Sequence, residues 1–260
     1  MRVDLHNHTA LCNHATGTMQ EYIKKAIELD IDIFGFSEHA PMEFDKKYRL
    51  SISQKKFYEK SVLDLKKQYK NDINIILGYE VDYLDGDYIL NEIKNADVDY
   101  LIGSVHFINK WGFDNPEFIG VYKNKDIDKI WEDYFDAVNA MVKTGYFDIV
   151  GHFDLIKVFK FFPKKDIKLL ALNTLKQIKK SGMVLEINSA GFRKPIQEQY
   201  PSKDLLEVAY ELDIPITFSS DAHSVDQVGL NYDKVIKLAK DIGYNSCIYF
   251  QQKNQIVTKF

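Results

Sequence analysis

The sequence predicts an α/β fold, a seven-stranded (β/α) TIM-like barrel, and three observations carry that expectation. Seven short apolar segments with strand character alternate with segments of helical period. No two strand segments are joined by a hairpin signal, so the strands are expected to run parallel under a cover of helices. Six of the seven end in a histidine or a carboxylate, and the remaining one ends near Arg193. An open sheet would string those ends along a line, whereas a barrel turns them into one ring at the C-terminal ends of the strands.

Taken in order, Arg2-Val3-Asp4-Leu5 alternates like a short strand, and beyond it His6 and His8 project to one face of an extended chain. The loop 9–18 carries Cys12 and His14 and leads to a helix around 19–29, with Tyr22, Ile23, Ala26, Ile27 and Leu29 as its apolar stripe. The second strand, 32–37, runs into Glu38-His39. A helix over 53–70 precedes the third strand, from Ile73 into Tyr79-Glu80-Val81-Asp82. A shorter helix over about 87–95 leads to Tyr100–His106. Residues 107–125, with Trp111, Phe113 and Phe118 among glycines and a proline, read as a long loop able to act as a lid. Helix 126–143 then precedes 147–152, ending in His152, and helix 166–180 precedes 183–188 and the loop from Ser189 to Pro201. Helix 203–212 leads to 215–223, ending in Asp221-Ala222-His223. Helix 231–241 is followed by apolar residues 247–250, an eighth strand or a packed tail.

No repeat, low-complexity tract or Gly/Ser linker divides residues 1–260, which read as one domain. Thirty-four basic residues oppose thirty-eight acidic ones, and only Arg2, Arg49 and Arg193 are arginine, a poor composition for reading nucleic acid. Met1-Arg2 runs straight into a charged strand without a secretory signal, and no apolar run reaches membrane-spanning length. Two cysteines, Cys12 and Cys247, are too few for a disulfide framework, so a cytoplasmic protein is expected. Oligomeric state is not legible in these residues.

Chemistry concentrates in seven histidines, none inside an expected helix: His6, His8, His14, His39, His106, His152 and His223. Singly, each would be an ordinary core or surface histidine. Six lie at or just beyond strand ends, and that shared position makes them candidate metal ligands. Glu80 and Asp221 complete the set, because a carboxylate can bridge two cations where a neutral imidazole binds one. Nine nitrogen and oxygen ligands exceed one tetrahedral centre and suit two or three divalent cations of zinc, iron or manganese. Cys12 reads as a buried loop residue rather than a thiolate ligand. Asp4, Glu38 and Asp82 adjoin ligands but alternate away from them, which suits solvent, packing or support of the ligands.

In order along the chain, His6-Asn7-His8, His14, Ser37-Glu38-His39, Gly78-Tyr79-Glu80, Gly103-Ser104-Val105-His106, Gly151-His152 and Ser220-Asp221-Ala222-His223 resemble the PHP (polymerase and histidinol phosphatase) family over essentially the whole sequence. The resemblance implies a distorted seven-stranded barrel with a trinuclear site. His6, His8, Glu80 and Asp221 would hold one cation, Glu80, His106 and His152 a second, and His14, His39 and His223 a third. Two further stretches, Ser104–Ile108 continuing to Trp111–Asp114 and Asn188–Pro195 ending at Tyr200-Pro201, resemble the histidinol-phosphate phosphatases within that family. By that resemblance Arg193 contacts the substrate phosphate, where its planar fork matches two oxygens, and Lys157 supplies a second contact. Trp111 would sit over the substrate on its lid.

The expected activity is metal-dependent hydrolysis of a small phosphomonoester, L-histidinol phosphate in histidine biosynthesis, by hydroxide formed from water at the cations. Glu80, Asp221 and His223 are the candidate catalytic groups, and the group that protonates the leaving alcohol is open. The substrate's ammonium and imidazole call for acidic partners that the sequence does not identify. Rival expectations are a PHP nuclease or protein-tyrosine phosphatase, or a non-catalytic metal-binding module; the last would favour a closed, Cys-rich site.

Overall fold

The computed structural model describes residues 1–86 and 88–260. Its elements, in chain order, are β1 (Val3–Asp4), α1 (Met19–Glu28), β2 (Ile33–His39), α2 (Lys55–Gln68), β3 (Asn74–Asp82), α3 (Asn91–Lys94), β4 (Tyr100–Ser104), β5 (Phe107–Ile108), β6 (Trp111–Gly112), α4 (Ile127–Lys143), β7 (Ile149–Val150), α5 (Ile167–Ser181), β8 (Val184–Asn188), α6 (Lys203–Glu211), β9 (Ile216–Ser219), α7 (Tyr232–Ile242), β10 (Ser246–Gln251) and β11 (Asn254–Lys259). The helix expected over about 87–95 begins on Asp87, outside the described residues, and what is described there is the single turn α3.

Seven strands form one parallel sheet in the order β1-β2-β3-β4-β7-β8-β9. Its two edges meet where Leu5 N–H donates to Phe218 C=O at 3.1 Å and His8 N–H donates to Ala222 C=O at 3.0 Å, so the sheet curls into a nearly closed barrel. The register pairs His39 on β2 with Glu80 on β3. The strands are buried on both faces, as parallel strands wrapped by helices are.

Inside the barrel Tyr100 of β4 reaches across to β1, its hydroxyl donating to Leu5 C=O. Room for that ring comes from Gly35 and Gly78: a Cβ would lie 2.2 Å from the Tyr100 hydroxyl at the first and 2.6 Å from the ring at the second. Outside, the helices pack by their apolar stripes. Trp131, Tyr134, Phe135, Val138 and Met141 of α4 are buried, and the Thr18–Glu21 capping box starts α1.

Residues 247–250 are neither an eighth barrel strand nor a tail. They belong to an antiparallel hairpin, β10–β11. It lies across the strand N-terminal ends: Gln252 N–H donates to Asp99 Oδ1 at 2.9 Å and Lys253 Nζ to Asp148 Oδ2 at 2.8 Å. Phe250 stacks on Tyr100 with ring centroids 6.0 Å apart, closing the barrel floor. A second hairpin, β5–β6, replaces the start of the expected loop 107–125, and a 3-10 helix over Pro116–Asn124 follows it. Both hairpins were hidden for one reason. Their turns put Asn109-Lys110 and Gln252-Lys253 in the left-handed region, with φ of 50°, 66°, 49° and 65°, where glycine is the usual signal. Among the described residues no helix is long and apolar enough to cross a membrane.

Candidate active site

All nine expected ligands converge at the C-terminal mouth of the barrel, and Glu80 is their hub. Its Oε2 lies 3.4 Å from His6 Nε2, 3.6 Å from His8 Nε2 and 2.8 Å from His39 Nδ1. Its Oε1 lies 2.8 Å from His152 Nε2 and 3.6 Å from His106 Nε2. Asp221 extends the cluster, with Oδ1 3.4 Å from both His8 Nε2 and His223 Nδ1. The rings of His14 and His223 are 4.7 Å apart and those of His14 and His39 are 5.2 Å apart.

The chemistry of these donors fits divalent cations. His6 Nε2, His8 Nε2 and Glu80 Oε2 are buried with no hydrogen-bond partner among the described residues, although buried polar atoms are nearly always satisfied. His39 Nδ1 is close to Glu80 Oε2 but out of alignment, so it too is unpartnered. Ligand atoms gather within 4.8 Å of one another in the sets His6, His8, Glu80 and Glu80, His106, His152 and His8, His39, His223. His14 gathers instead with Cys12 and His223. Cys12 is spent on packing: its thiol donates to Thr9 C=O at 3.1 Å, and burial pushes its pKa up to about 12.

Behind the ligands stands a layer of carboxylates. His6 Nδ1 donates to Glu186 Oε1 at 2.7 Å, His8 Nδ1 to Glu38 Oε1 at 3.3 Å, and His106 Nδ1 to Asp82. Each fixes a tautomer and leaves Nε2 with its lone pair aimed at Glu80. Asp82 is itself held by Arg49 Nη1 at 2.7 Å. Asp4 accepts the Ser220 hydroxyl at 2.6 Å and the Ser220 N–H at 2.9 Å, tying the end of β9 to β1. Asp4, Glu38 and Asp82 are buried supports rather than solvated groups. Glu186 is the functional residue the sequence reading missed. Its signal was a lone carboxylate inside the apolar strand Val184–Asn188.

The field in this cluster is strong. Burial opposes ionisation of Glu80 and Asp221, yet the imidazoles around them, His39 and His6 for Glu80 and His6 and His8 for Asp221, hold both well below the usual carboxylate range. Burial also works against charged His6, His8 and His106, but neighbouring carboxylates prevail. His6 is raised well above its ordinary value by Glu186 and Glu80, His8 to about 9 by Asp221 and Glu38, and His106 to about 10 by Asp82 and Glu80. Burial and then the neighbouring His8 push His39 down to about 4 and His223 well below its ordinary value. A ligating imidazole must be neutral, so cation binding displaces the protons on the raised group.

Backbone geometry serves the same end. Asp221 and His152 sit at φ of 51° and 22°, which turns both side chains sharply at strand ends. His152 N–H donates to Glu186 Oε2 at 2.5 Å, one contact that holds it there.

A cavity of about 550 Å³ opens above the ligands, and Arg193 lines it. Arg193 Nη2 donates to Ser220 C=O and Asp221 C=O, each at 2.9 Å, while the buried Nη1 has no partner among the described residues. The other two candidates for substrate contact are corrected. Lys157 is fully buried outside the cavity lining, with Nζ 2.7 Å from Glu198 Oε2, 2.8 Å from Gln199 C=O and 3.0 Å from Asp154 Oδ2. The left-handed residues His152 and Asp154 turn the chain just before it, and its amine is spent on these buried partners. Trp111 packs edge-on against Tyr122 at 4.7 Å, and the cavity wall is made instead by Phe107, Gly112, Asp114, Asn115 and Phe118.

Comparison with known proteins places the chain. A PHP domain model matches residues 4–190. A probable histidinol-phosphatase of Deinococcus radiodurans is 34% identical over 97% of this chain and 98% of its own. The histidinol-phosphatase of Bacillus subtilis is 27% identical over 90% of this chain and 98% of its own. Among solved structures, the histidinol phosphate phosphatase of Lactococcus lactis, complexed with Zn, L-histidinol and phosphate, superposes with a TM-score of 0.79 over 98% of both chains at 22% identity, a likeness of fold. The ring of histidines around Glu80, the strand order and the near-full-length matches lead to one conclusion: the chain belongs to the PHP family.

Proposed function

We propose that the protein hydrolyses L-histidinol phosphate to L-histidinol and phosphate, as a metal-dependent phosphomonoesterase of histidine biosynthesis. The observation that carries this reading is the unpartnered Arg193 Nη1 in a cavity floored by the Glu80-centred ligand cluster. Bound divalent cations, two or three of zinc, iron or manganese, would supply a nucleophile at neutral pH and offset charge on the phosphoryl oxygens.

The residues divide the remaining work. His6, His8, Glu80 and Asp221 would hold one cation, Glu80, His106 and His152 a second, and His14, His39 and His223 a third. Arg193, braced on two carbonyls, offers its free nitrogen to a phosphate oxygen and strengthens that contact as charge grows there. Asp221, on the cavity lining beside His8 and His223, would take the proton that the attacking water loses and return it to the leaving alkoxide. The P–O bond to the alcohol breaks as the P–O bond to water forms, and no side chain becomes phosphorylated. The two buried thiols suit a cytoplasmic setting.

Phosphate release from L-histidinol phosphate, p-nitrophenyl phosphate, a phosphotyrosine peptide and single-stranded DNA tests the reading, using protein reconstituted with zinc or manganese. The expected result is a kcat/KM for L-histidinol phosphate roughly tenfold or more above every other substrate. A preference for the peptide or for DNA overturns it.

A further inference from the structure

L-Histidinol phosphate carries a primary ammonium and an imidazole on its leaving alcohol, and the proposed function leaves both without a partner. Among the described residues five carboxylates line the cavity: Asp45, Glu80, Asp82, Asp114 and Asp221. Four are already engaged. Glu80 faces histidines, Asp221 faces His8 and accepts from Asn188 Nδ2 at 3.2 Å, and Asp45 and Asp82 share Arg49 at 3.3 and 2.7 Å. Asp114 is different. Among the described residues no cationic side chain reaches salt-bridge distance of it, and His106 and His152 act on it only through their fields. Burial raises its carboxyl above the ordinary value, against the pull of His106 and His152.

Its position is prepared rather than incidental. Phe113, the preceding residue, is fully buried, meets Tyr134 edge-on at 5.5 Å, and donates its N–H to His106 C=O at 3.3 Å. Tyr122 hydroxyl donates to Phe113 C=O at 3.1 Å, and Asn115 N–H donates to Gly112 C=O at 3.3 Å. Asp114 is therefore pinned from both sides to a segment that starts at a ligand, His106. The same segment contributes Phe107 and Phe118 to the cavity wall, and Phe107 is backed edge-on by Phe44 at 5.0 Å. An anionic group that shares a cavity wall with aromatic rings is a surrounding that suits a planar, cationic organic group.

We infer that Asp114, with Phe107 and Phe118, forms the subsite for the amino-alcohol part of the substrate, pairing with its ammonium or imidazolium and so setting leaving-group specificity. This rests on the proposed function. Arg193 grips the phosphate from one element, and Asp114 reads the leaving group from another. The role is one of positioning and selection, not proton transfer.

The test compares wild-type protein with Asp114→Asn, both reconstituted with zinc, on L-histidinol phosphate and on p-nitrophenyl phosphate, whose leaving group carries no positive charge. Binding of L-histidinol is measured by calorimetry and metal content by elemental analysis on the same samples. The expected result is a loss of roughly ten- to a hundredfold in kcat/KM for L-histidinol phosphate and a matching weakening of L-histidinol binding. Turnover of p-nitrophenyl phosphate and metal content stay near wild type, which also shows that the variant is folded. Equal losses on both substrates, or no loss on either, overturn the subsite. A wild-type enzyme without preference for L-histidinol phosphate overturns the proposed function itself, whereas a preference that Asp114→Asn keeps leaves the function standing and removes only the subsite.

Discussion

Glu186 accepts His6 Nδ1–H at 2.7 Å on one oxygen and His152 N–H at 2.5 Å on the other, so a single buried carboxylate sets ligands from two strands. Ser219 hydroxyl and Asn188 Nδ2 also donate to it, at 2.6 and 3.0 Å, which fills its acceptor sites and fixes its orientation. Removing it frees the His6 ring and the strained His152 backbone together. Glu186→Ala is expected to weaken cation affinity by roughly ten- to a hundredfold. Glu186→Gln should fall between, because the amide oxygen can still accept from His6 but carries no charge. Competition with a chelator measures this, and unchanged affinity in both variants would show Glu186 to be a packing residue.

Glu80 and His14 mark the two extremes of the ligand set. Glu80 is buried and lies within 3.6 Å of five imidazole nitrogens, whereas His14 sits on an exposed turn with Nδ1 committed to Cys12 C=O at 2.9 Å. Glu80→Gln removes a shared negative charge from the centre of the cluster, so it should lose more than one cation and nearly all activity. His14→Ala should lose at most one. Metal analysis after reconstitution decides, and equal content in the two variants would count against a bridging Glu80.

What the sequence made legible was whatever sits at the end of a strand. Parallel strands in a barrel point their C-terminal ends to one ring, so His39, Glu80, His106, His152 and His223 could be placed from order alone. Glu186 lies inside a strand, and only the cost of burying a carboxylate there marks it. Lys157 misled because five residues after His152 is a spacing and not a direction; two left-handed residues intervene. Trp111 misled because Lys110 occupies a turn position that glycine usually announces. Asp114 stood in view beside Trp111, but its importance comes from what does not pair with it, a property of the folded chain.

Lys157 makes a stability prediction instead of a catalytic one. Its Nζ is buried against Asp154, whose carboxyl burial pushes up to about 6 even with Lys157 pulling it down. Replacing it by methionine strands that carboxylate, at a cost of about 3–5 kcal/mol. The pH dependence has a definite sign. A carboxyl raised in the folded state supplies stability that is full below its unfolded value and is lost as pH climbs through the folded one. Without Lys157 the folded pKa rises further, so the penalty grows between pH 6 and pH 8. Urea unfolding of Lys157→Met and wild type at both pH values measures the difference, and a penalty larger at pH 6 would refute the assignment.

Arg193 is the residue to which the proposed function gives the phosphate, and its two terminal nitrogens stand in different surroundings. Nη2 is tied to the carbonyls of Ser220 and Asp221, which orients the guanidinium; Nη1 is buried, lacks a protein partner and belongs to a side chain on the cavity wall. Arg193→Ala should cost about 1.5–3 kcal/mol of transition-state stabilisation, roughly ten- to a hundredfold in kcat/KM. Arg193→Lys restores a charge but not the fork, so one amine must choose between the carbonyl brace and the phosphate, and recovery should be partial. Because the brace ends on Asp221, metal content has to be followed in the same samples. Activity that falls while metal content holds assigns the loss to phosphate binding. Activity and metal falling together would mean that Arg193 supports the Asp221 turn instead, and a lysine that restores both fully would show that charge alone, without the fork, is what the site requires.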